Sequence, residues 1–184
     1  MSDSDDREKS SLILSKNHSL AIKRSDLIKR GLALVHELKK RQVEVLIATG
    51  DDLLTDLLHE YIQSNYFRIC DFNIRKSEDV EEILKLAENG SLDILVLTMN
   101  NMLIWVDIQE RMENCLQLIN NIKTTYGIPV IAFSGWLDDP SIIARAKRSA
   151  DFFLPLPFLF KEFGVAFLKC LRMLPRFDEL HRKA

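Results

Sequence analysis

Short runs of apolar residues alternate with longer amphipathic stretches along most of this 184-residue chain. A short run rich in β-branched or aromatic residues is typical of a buried strand, whereas apolar residues at every third or fourth position predict a helix. The runs predict five strands, which are Val43–Thr49, Phe67–Phe72, Asp93–Thr98, Ile128–Phe133 and Phe152–Leu154.

A helix is predicted after each strand, with a capping residue at its start or a stop signal at its end. The predicted limits are Asp52 as the start of the first helix, Ser77 or Asp79 to Gly90 for the second, Ile108 to Gly127 for the third, Asp139 and Pro140 at the start of the fourth, and Leu159–Leu174 for the fifth. Strands that alternate with helices run parallel, so we expect an α/β fold with one doubly wound five-stranded sheet. The expected strand order is 2-1-3-4-5, as in flavodoxin-like proteins.

An additional amphipathic helix is predicted at Ser25–Arg41, before the first strand. Its apolar face is too wide for an isolated helix, and a five-stranded core does not need it. It must therefore pack on its own domain or on a second copy, and we predict a homodimer that buries Leu27, Leu34 and Leu38. Residues 1–24 are predicted to be a disordered tail, 43–174 the main domain and 175–184 a charged tail.

The composition is that of an ordinary globular protein, with 47% apolar and 28% charged residues and a net charge of −2. This charge does not suggest a dedicated nucleic-acid binder. Apolar runs of transmembrane length and a signal peptide are not seen, so we expect a cytoplasmic protein without membrane association. The cysteines, Cys70, Cys115 and Cys170, are expected to be buried reduced thiols, and no metal site is expected.

The stretch Ile128–Phe158, IPVIAFSGWLDDPSIIARAKRSADFFLPLPF, resembles the last third of a response-regulator receiver domain. In that family one strand ends in Ser or Thr, and the next ends in Lys-Pro-Phe. Ser134 occupies the hydroxyl position and Pro157–Phe158 match the end of the motif, but Leu156 replaces the lysine. The resemblance covers about Val43 to Leu174 and implies the receiver fold.

The resemblance also places the phosphorylation site, and most of its chemistry is missing. Receivers hold Mg²⁺ with two acids after the first strand, where this chain has Thr49 and Gly50. They phosphorylate an aspartate at the end of the third strand, where this chain has Thr98. With Leu156 at the lysine position, only Ser134 is retained, so the resemblance implies a receiver that does not take phosphate.

Two aspartates lie one or two residues after the acid positions at the end of the first strand. Asp51 and Asp52 leave weak cation binding open, although we interpret Asp52 as a helix cap. No cofactor is expected.

Other positions of the resemblance concern switching and binding. Phe153 matches the aromatic switch residue of receivers and is expected to stay inward, and Leu156–Pro157 matches a peptide that is usually cis. The segment Met99–Val106 either covers the vacant site or, with Trp105, forms a partner surface to which Trp136 and Phe158 would contribute.

The favoured function is a phosphorylation-independent pseudo-receiver that binds a protein partner in signalling and is not an enzyme. One alternative is a degenerate hydrolase of the SGNH type, because Gly50–Leu54 resembles that family's GDSL block and Asp178 with His181 resembles its final Asp-x-x-His. Asp51 or Asp52 would replace its serine, which leaves no obvious nucleophile. The other alternative is nucleic-acid binding by the basic amino-terminal helix, which is disfavoured because no aromatic residues interleave with its charges.

Overall fold

A computed structural model describes residues 42–99, 108–135 and 140–175. The predicted amino-terminal helix with Leu27, Leu34 and Leu38 therefore lies outside the described residues, as do Trp105, Trp136 and Asp139. Five parallel strands form one sheet, namely β1 (Val43–Ala48), β2 (Phe72–Lys76), β3 (Ile94–Thr98), β4 (Val130–Ser134) and β5 (Phe152–Pro155). Their order is β2-β1-β3-β4-β5, which confirms the predicted topology.

Five described helices alternate with these strands. They are α1 (Asp52–Tyr66), α2 (Val80–Glu88), α3 (Ile108–Tyr126), α4 (Pro140–Ser149) and α5 (Phe160–Met173). Asp79 caps α2 through a bond from the Glu81 N–H to its carboxylate (3.0 Å). Gly127, at φ 67°, follows α3 in the left-handed region, where glycine is favoured, so this stop signal is confirmed.

The second strand was predicted wrongly at Phe67–Phe72. In the structure α1 continues to Tyr66, Phe67 keeps helical backbone angles, and β2 begins only at Phe72. The cause is the position of β2 at the edge of the sheet, where a strand pairs with one neighbour only and can keep polar residues in contact with solvent. Arg75 and Lys76 are therefore exposed, and the strand is too polar to resemble the buried ones.

The helices pack on both faces of the sheet. One face carries a single buried cluster in which β1, β3 and β4 residues meet α2, α3 and α4 through side chains such as Leu46, Leu97, Ile83 and Ile119. The opposite face carries aromatic side chains, because the ring of Phe133 in β4 lies 6.1 Å from that of Phe163 in α5. The sheet is therefore enclosed between two helical layers, and its strand ends are left to form the candidate site.

A close contact joins α1 to α5 on the aromatic face. The Tyr66 hydroxyl donates to the Gly164 carbonyl (3.1 Å), and the Tyr61 ring stacks on that of Phe160, with centroids 5.3 Å apart. A Cβ on Gly164 would lie 2.5 Å from the Tyr61 hydroxyl and 2.7 Å from that of Tyr66. A larger residue at 164 would therefore have to displace the two tyrosine hydroxyls.

Two carboxylates fix the amino ends of the strands. Asp93 accepts the Glu44 N–H (2.8 Å), and Asp151 accepts the Val130 N–H (2.8 Å) while pairing with Lys123 at 3.1 Å. Both acids are thus occupied at the edge opposite the candidate site. Among the described helices, none combines the length and apolar character required to cross a membrane.

Candidate functional site

The predicted site residues meet at the carboxyl ends of neighbouring strands. Thr98 ends β3 opposite Phe133, and Ser134 ends β4 opposite Pro155. The Leu156 N–H donates to the Ser134 carbonyl (2.8 Å), which holds the residue after β5 against the end of β4. In open parallel sheets this edge is where ligands bind, and Thr98, Ser134 and Leu156 lie together there.

The three hydroxyl residues at this edge are buried. Thr49, Thr98 and Ser134 have exposed fractions of 0%, 4% and 1%. Leu156 is partly buried and presents an aliphatic side chain where receivers have an ammonium group. At these positions a phosphoryl group would therefore meet neither a metal-binding acid nor a cation.

The turn after β1 has no carboxylate at the two positions that match the receiver acids, Thr49 and Gly50. Gly50 occupies one of the two positions at which receivers place acids, and its φ of 59° lies in the left-handed region. Glycine adopts this conformation without a steric cost, and no carboxylate extends from position 50. Preceding it, the Thr49 hydroxyl oxygen lies 2.6 Å from that of Thr55 and 3.0 Å from the Asp51 carbonyl oxygen. Local bonds therefore occupy this turn.

The helix cap is Asp51, so the prediction that Asp52 caps α1 was wrong. Asp51 has the extended backbone that a capping residue adopts, and its carboxylate accepts the Leu54 N–H at 3.0 Å. Asp52 is the first residue of the helix, exposed, and forms an ion pair with Lys76. The two carboxylates thus have different partners, and the described residues contain no group of three or more His, Cys, Asp or Glu side chains that could hold a metal.

Thr98 has an unusual environment for a polar side chain. Its hydroxyl oxygen is buried, and no hydrogen-bond partner for it exists among the described residues. A buried unsatisfied hydroxyl costs about 1–3 kcal/mol. Activating this hydroxyl as a nucleophile would require a base within hydrogen-bond distance, and none of the described residues fills that role.

The environment of the Cys115 thiol, on α3 next to the end of β3, also disfavours its reactive thiolate form. Cys115 is buried and donates a weak bond to the Met99 carbonyl (3.6 Å), just beyond β3. Burial raises the pKa of the Cys115 thiol to about 11. Cys70 and Cys170 are buried free thiols as well, which confirms the prediction for all three cysteines.

The proposed switch and surface aromatics differ in exposure. Phe153 is partly buried and packs against the cluster on the α2–α3–α4 face, so its ring is inward but not fully enclosed. Phe158 stacks on Phe133 with centroids 4.8 Å apart, which covers one face of its ring. The Leu156–Pro157 peptide is cis, as predicted.

One residue of the site was not recognised from the sequence. Thr55 lies on the inner face of α1, three residues before the buried Leu58, and its hydroxyl bonds both Thr49 and the Asp51 carbonyl (2.9 Å). A threonine among apolar positions of an amphipathic helix was the available signal. Of the hydrolase-like residues, Gly50–Leu54 forms the capped start of α1, and Asp178 and His181 lie outside the described residues.

Comparison with known proteins finds similarity in structure but not in sequence. No family model and no curated protein sequence matches the chain. Solved receivers do match in structure. The receiver domain of Francisella response regulator 1452 is 22% identical, with a TM-score of 0.51 over 71% of this chain and 98% of that one.

Two further structures agree. A response regulator from Thermotoga maritima is 14% identical, with a TM-score of 0.55 over 71% of this chain and 98% of that one. The signal receiver domain of a modulated diguanylate cyclase from Desulfovibrio desulfuricans G20 is 16% identical, with a TM-score of 0.52 over 78% and 100%. Together with the strand order, these matches show that residues 42–175 have the receiver fold in a strongly divergent sequence.

Proposed function

We propose that this chain is a phosphorylation-independent pseudo-receiver that works as a protein–protein interaction module in signalling. The observation that carries the proposal is Thr98, a buried hydroxyl without a described partner at the position where receivers have the phosphorylated aspartate. Gly50 and Leu156 add the loss of a metal-binding acid and of the lysine. The receiver fold supports a signalling role, and the altered site argues that binding, not phosphoryl transfer, produces the signal.

An exposed apolar surface beside the edge strand supports binding. Leu159 and Val165 of the α5 region are 69% and 48% exposed. They border a groove of about 510 Å³ that also includes Phe152, Leu154 and Ala166. Exposed apolar side chains that line a groove are typical of interaction sites, and this surface belongs to the last strand and helix, which receivers commonly use for partners.

Phosphorylation independence is tested by incubation with acetyl phosphate and Mg²⁺. We expect the intact mass to remain unchanged, whereas an ordinary receiver run in parallel gains one phosphoryl group. A stable gain of one phosphoryl group near Thr98 would overturn the proposal, since it would show a working acceptor.

The binding surface is tested by capture from an extract of the source cells with the intact chain as bait. We expect a protein retained by the wild type to be lost, by at least tenfold, from a Leu159→Glu/Val165→Glu variant. Leu53→Glu is the matched control, because Leu53 is 70% exposed on α1 and lies outside the groove. Equal capture by all three proteins would contradict a role for this surface.

A further inference from the structure

A second groove lies on the other side of the molecule, between α2 and α3. Its volume is about 620 Å³, and its apolar lining includes Val80, Leu84 and Leu118. Leu118 is buried, whereas Val80 and Leu84 are only partly covered. The groove therefore offers an apolar floor that the described residues leave incompletely covered.

The rim of this groove is acidic. Glu78 and Glu81 are exposed beside the start of α2, and the basic side chains of the described residues do not contribute to the lining. On the α3 side the rim is formed by neutral amides, including Asn114 and Asn121. Glu113, on the neighbouring flank of α3, is already paired with Arg145 of α4. The charge of the groove thus comes from the α2 end alone.

The charge distribution of the whole chain points to a matching segment. Residues 1–41 carry ten basic and six acidic side chains, whereas residues 42–184 carry 15 basic and 21 acidic ones. The predicted helix Ser25–Arg41 combines apolar Leu34 and Leu38, four residues apart, with the basic run Lys39–Arg41. An apolar pair beside a basic run is complementary to an apolar floor with an acidic rim.

We propose that the α2–α3 groove is occupied by residues 25–41 of a second copy of this chain, with Leu34 and Leu38 on the apolar floor and Lys39–Arg41 at the acidic rim. The stretch of α3 from Asn114 to Asn121 is about 10 Å long, which suits two turns of an incoming helix. This proposal specifies the contact that forms the homodimer expected from the sequence. It rests on the pseudo-receiver proposal only for the role of the dimer, which would be a binding module.

A second copy is the occupant to which the proposal commits. In a symmetric pair each groove receives the amino-terminal segment of the other copy, and such a reciprocal exchange closes at two copies.

The test uses the full-length chain and measures its mass in solution across a concentration series. We expect a dimer for the wild type and at least a tenfold weaker dimer for Glu78→Lys/Glu81→Lys. Asp56→Lys/Glu60→Lys makes the same change in net charge at exposed positions of α1 and should leave the dimer unchanged. Lys39→Glu/Lys40→Glu should weaken the dimer, and its combination with the groove variant should restore at least part of the affinity.

A monomeric wild type, or a dimer insensitive to the groove variant, overturns the proposal. Dissociation by Leu159→Glu/Val165→Glu with the groove variant still dimeric also overturns it, because the copies then meet through the β5 edge. Circular dichroism confirms that each variant is folded. The acetyl phosphate assay is independent of all these outcomes, so failure of the dimer and failure of the pseudo-receiver proposal are distinguished.

Discussion

At the scale of single residues, the Thr98 hydroxyl can be tested by removing it. Thr98→Val replaces a buried hydroxyl that has no described partner with a methyl group of similar size, so we expect the free energy of unfolding to rise by about 1 kcal/mol. The urea midpoint measures the change. Thr55→Val is the matched control, since its hydroxyl bonds both Thr49 and the Asp51 carbonyl, and it should lower the stability by about 1–2 kcal/mol. A loss of stability in Thr98→Val would show that the hydroxyl has a partner after all.

Buried thiols give the stability a defined pH dependence. The pKa of Cys115 is about 11 in the folded protein and about 9 when the chain is unfolded. A raised pKa means that the folded state disfavours the thiolate. Its contribution to stability is therefore complete below pH 9 and is lost as the pH rises to 11. Burial raises the pKa values of Cys170 and Tyr66 as well, so all three groups act in the same direction.

We therefore expect the free energy of unfolding to decrease between pH 9 and pH 11, with about 2 kcal/mol of the loss due to Cys115. Urea titrations at several pH values measure it. Cys115→Ala removes the titrating group and should flatten the slope over this range, whatever its effect at neutral pH. An identical slope in the variant would contradict the assignment to this thiol.

At the scale of elements, the α1–α5 contact depends on one glycine. Glycine to alanine within an exposed helix ordinarily gains about 1 kcal/mol. Gly164→Ala should instead destabilise the protein by about 1–3 kcal/mol, because the new Cβ would meet the hydroxyls of Tyr61 and Tyr66. Thermal unfolding measures the difference.

The origin of that loss can be checked by removing the obstructing atoms. Adding Tyr61→Phe and Tyr66→Phe to Gly164→Ala should make the alanine less harmful than it is in the wild-type background. Val165→Ala, one residue along at an exposed position, provides a control for general effects on α5. If alanine at 164 costs the same with and without the hydroxyls, the crowding argument fails.

The predictability of the elements followed their burial. The central strands β1, β3 and β4 are apolar on both faces, so their positions could be read directly from the sequence. The position of the edge strand β2 could not be read in this way. Its polar residues form the same backbone hydrogen bonds as apolar ones but give no apolar run in the sequence. The site was predictable as a set of strand ends, because parallel strands bring Thr98 and Ser134 to one edge. The hydrogen bond between Thr49 and Thr55 depends on the position of the first turn of α1 relative to β1. The pattern of apolar residues in the sequence does not determine that position.

At the scale of the molecule, the described strands and helices all lie after residue 41, and the sign of the net charge also changes there. All five strands and their helices lie within residues 42–175, and each face of the sheet is covered by helices from that range. Residues 1–41 carry more basic than acidic side chains. We therefore expect residues 42–184 to fold without the amino-terminal segment.

Deleting residues 1–41 tests this division directly. We expect a folded monomer with a cooperative unfolding transition, because the core of the receiver-like domain stays intact while Leu27, Leu34 and Leu38 are removed from the dimer contact. Sedimentation velocity gives the mass, and circular dichroism gives the helix and strand content. The triple variant Leu27→Gln/Leu34→Gln/Leu38→Gln in the full chain is the matched control, and it should be monomeric without loss of chain length. If the truncated protein remains dimeric, the copies associate through another surface. If it unfolds, the amino-terminal segment belongs to the core of its own chain, and the homodimer argument fails.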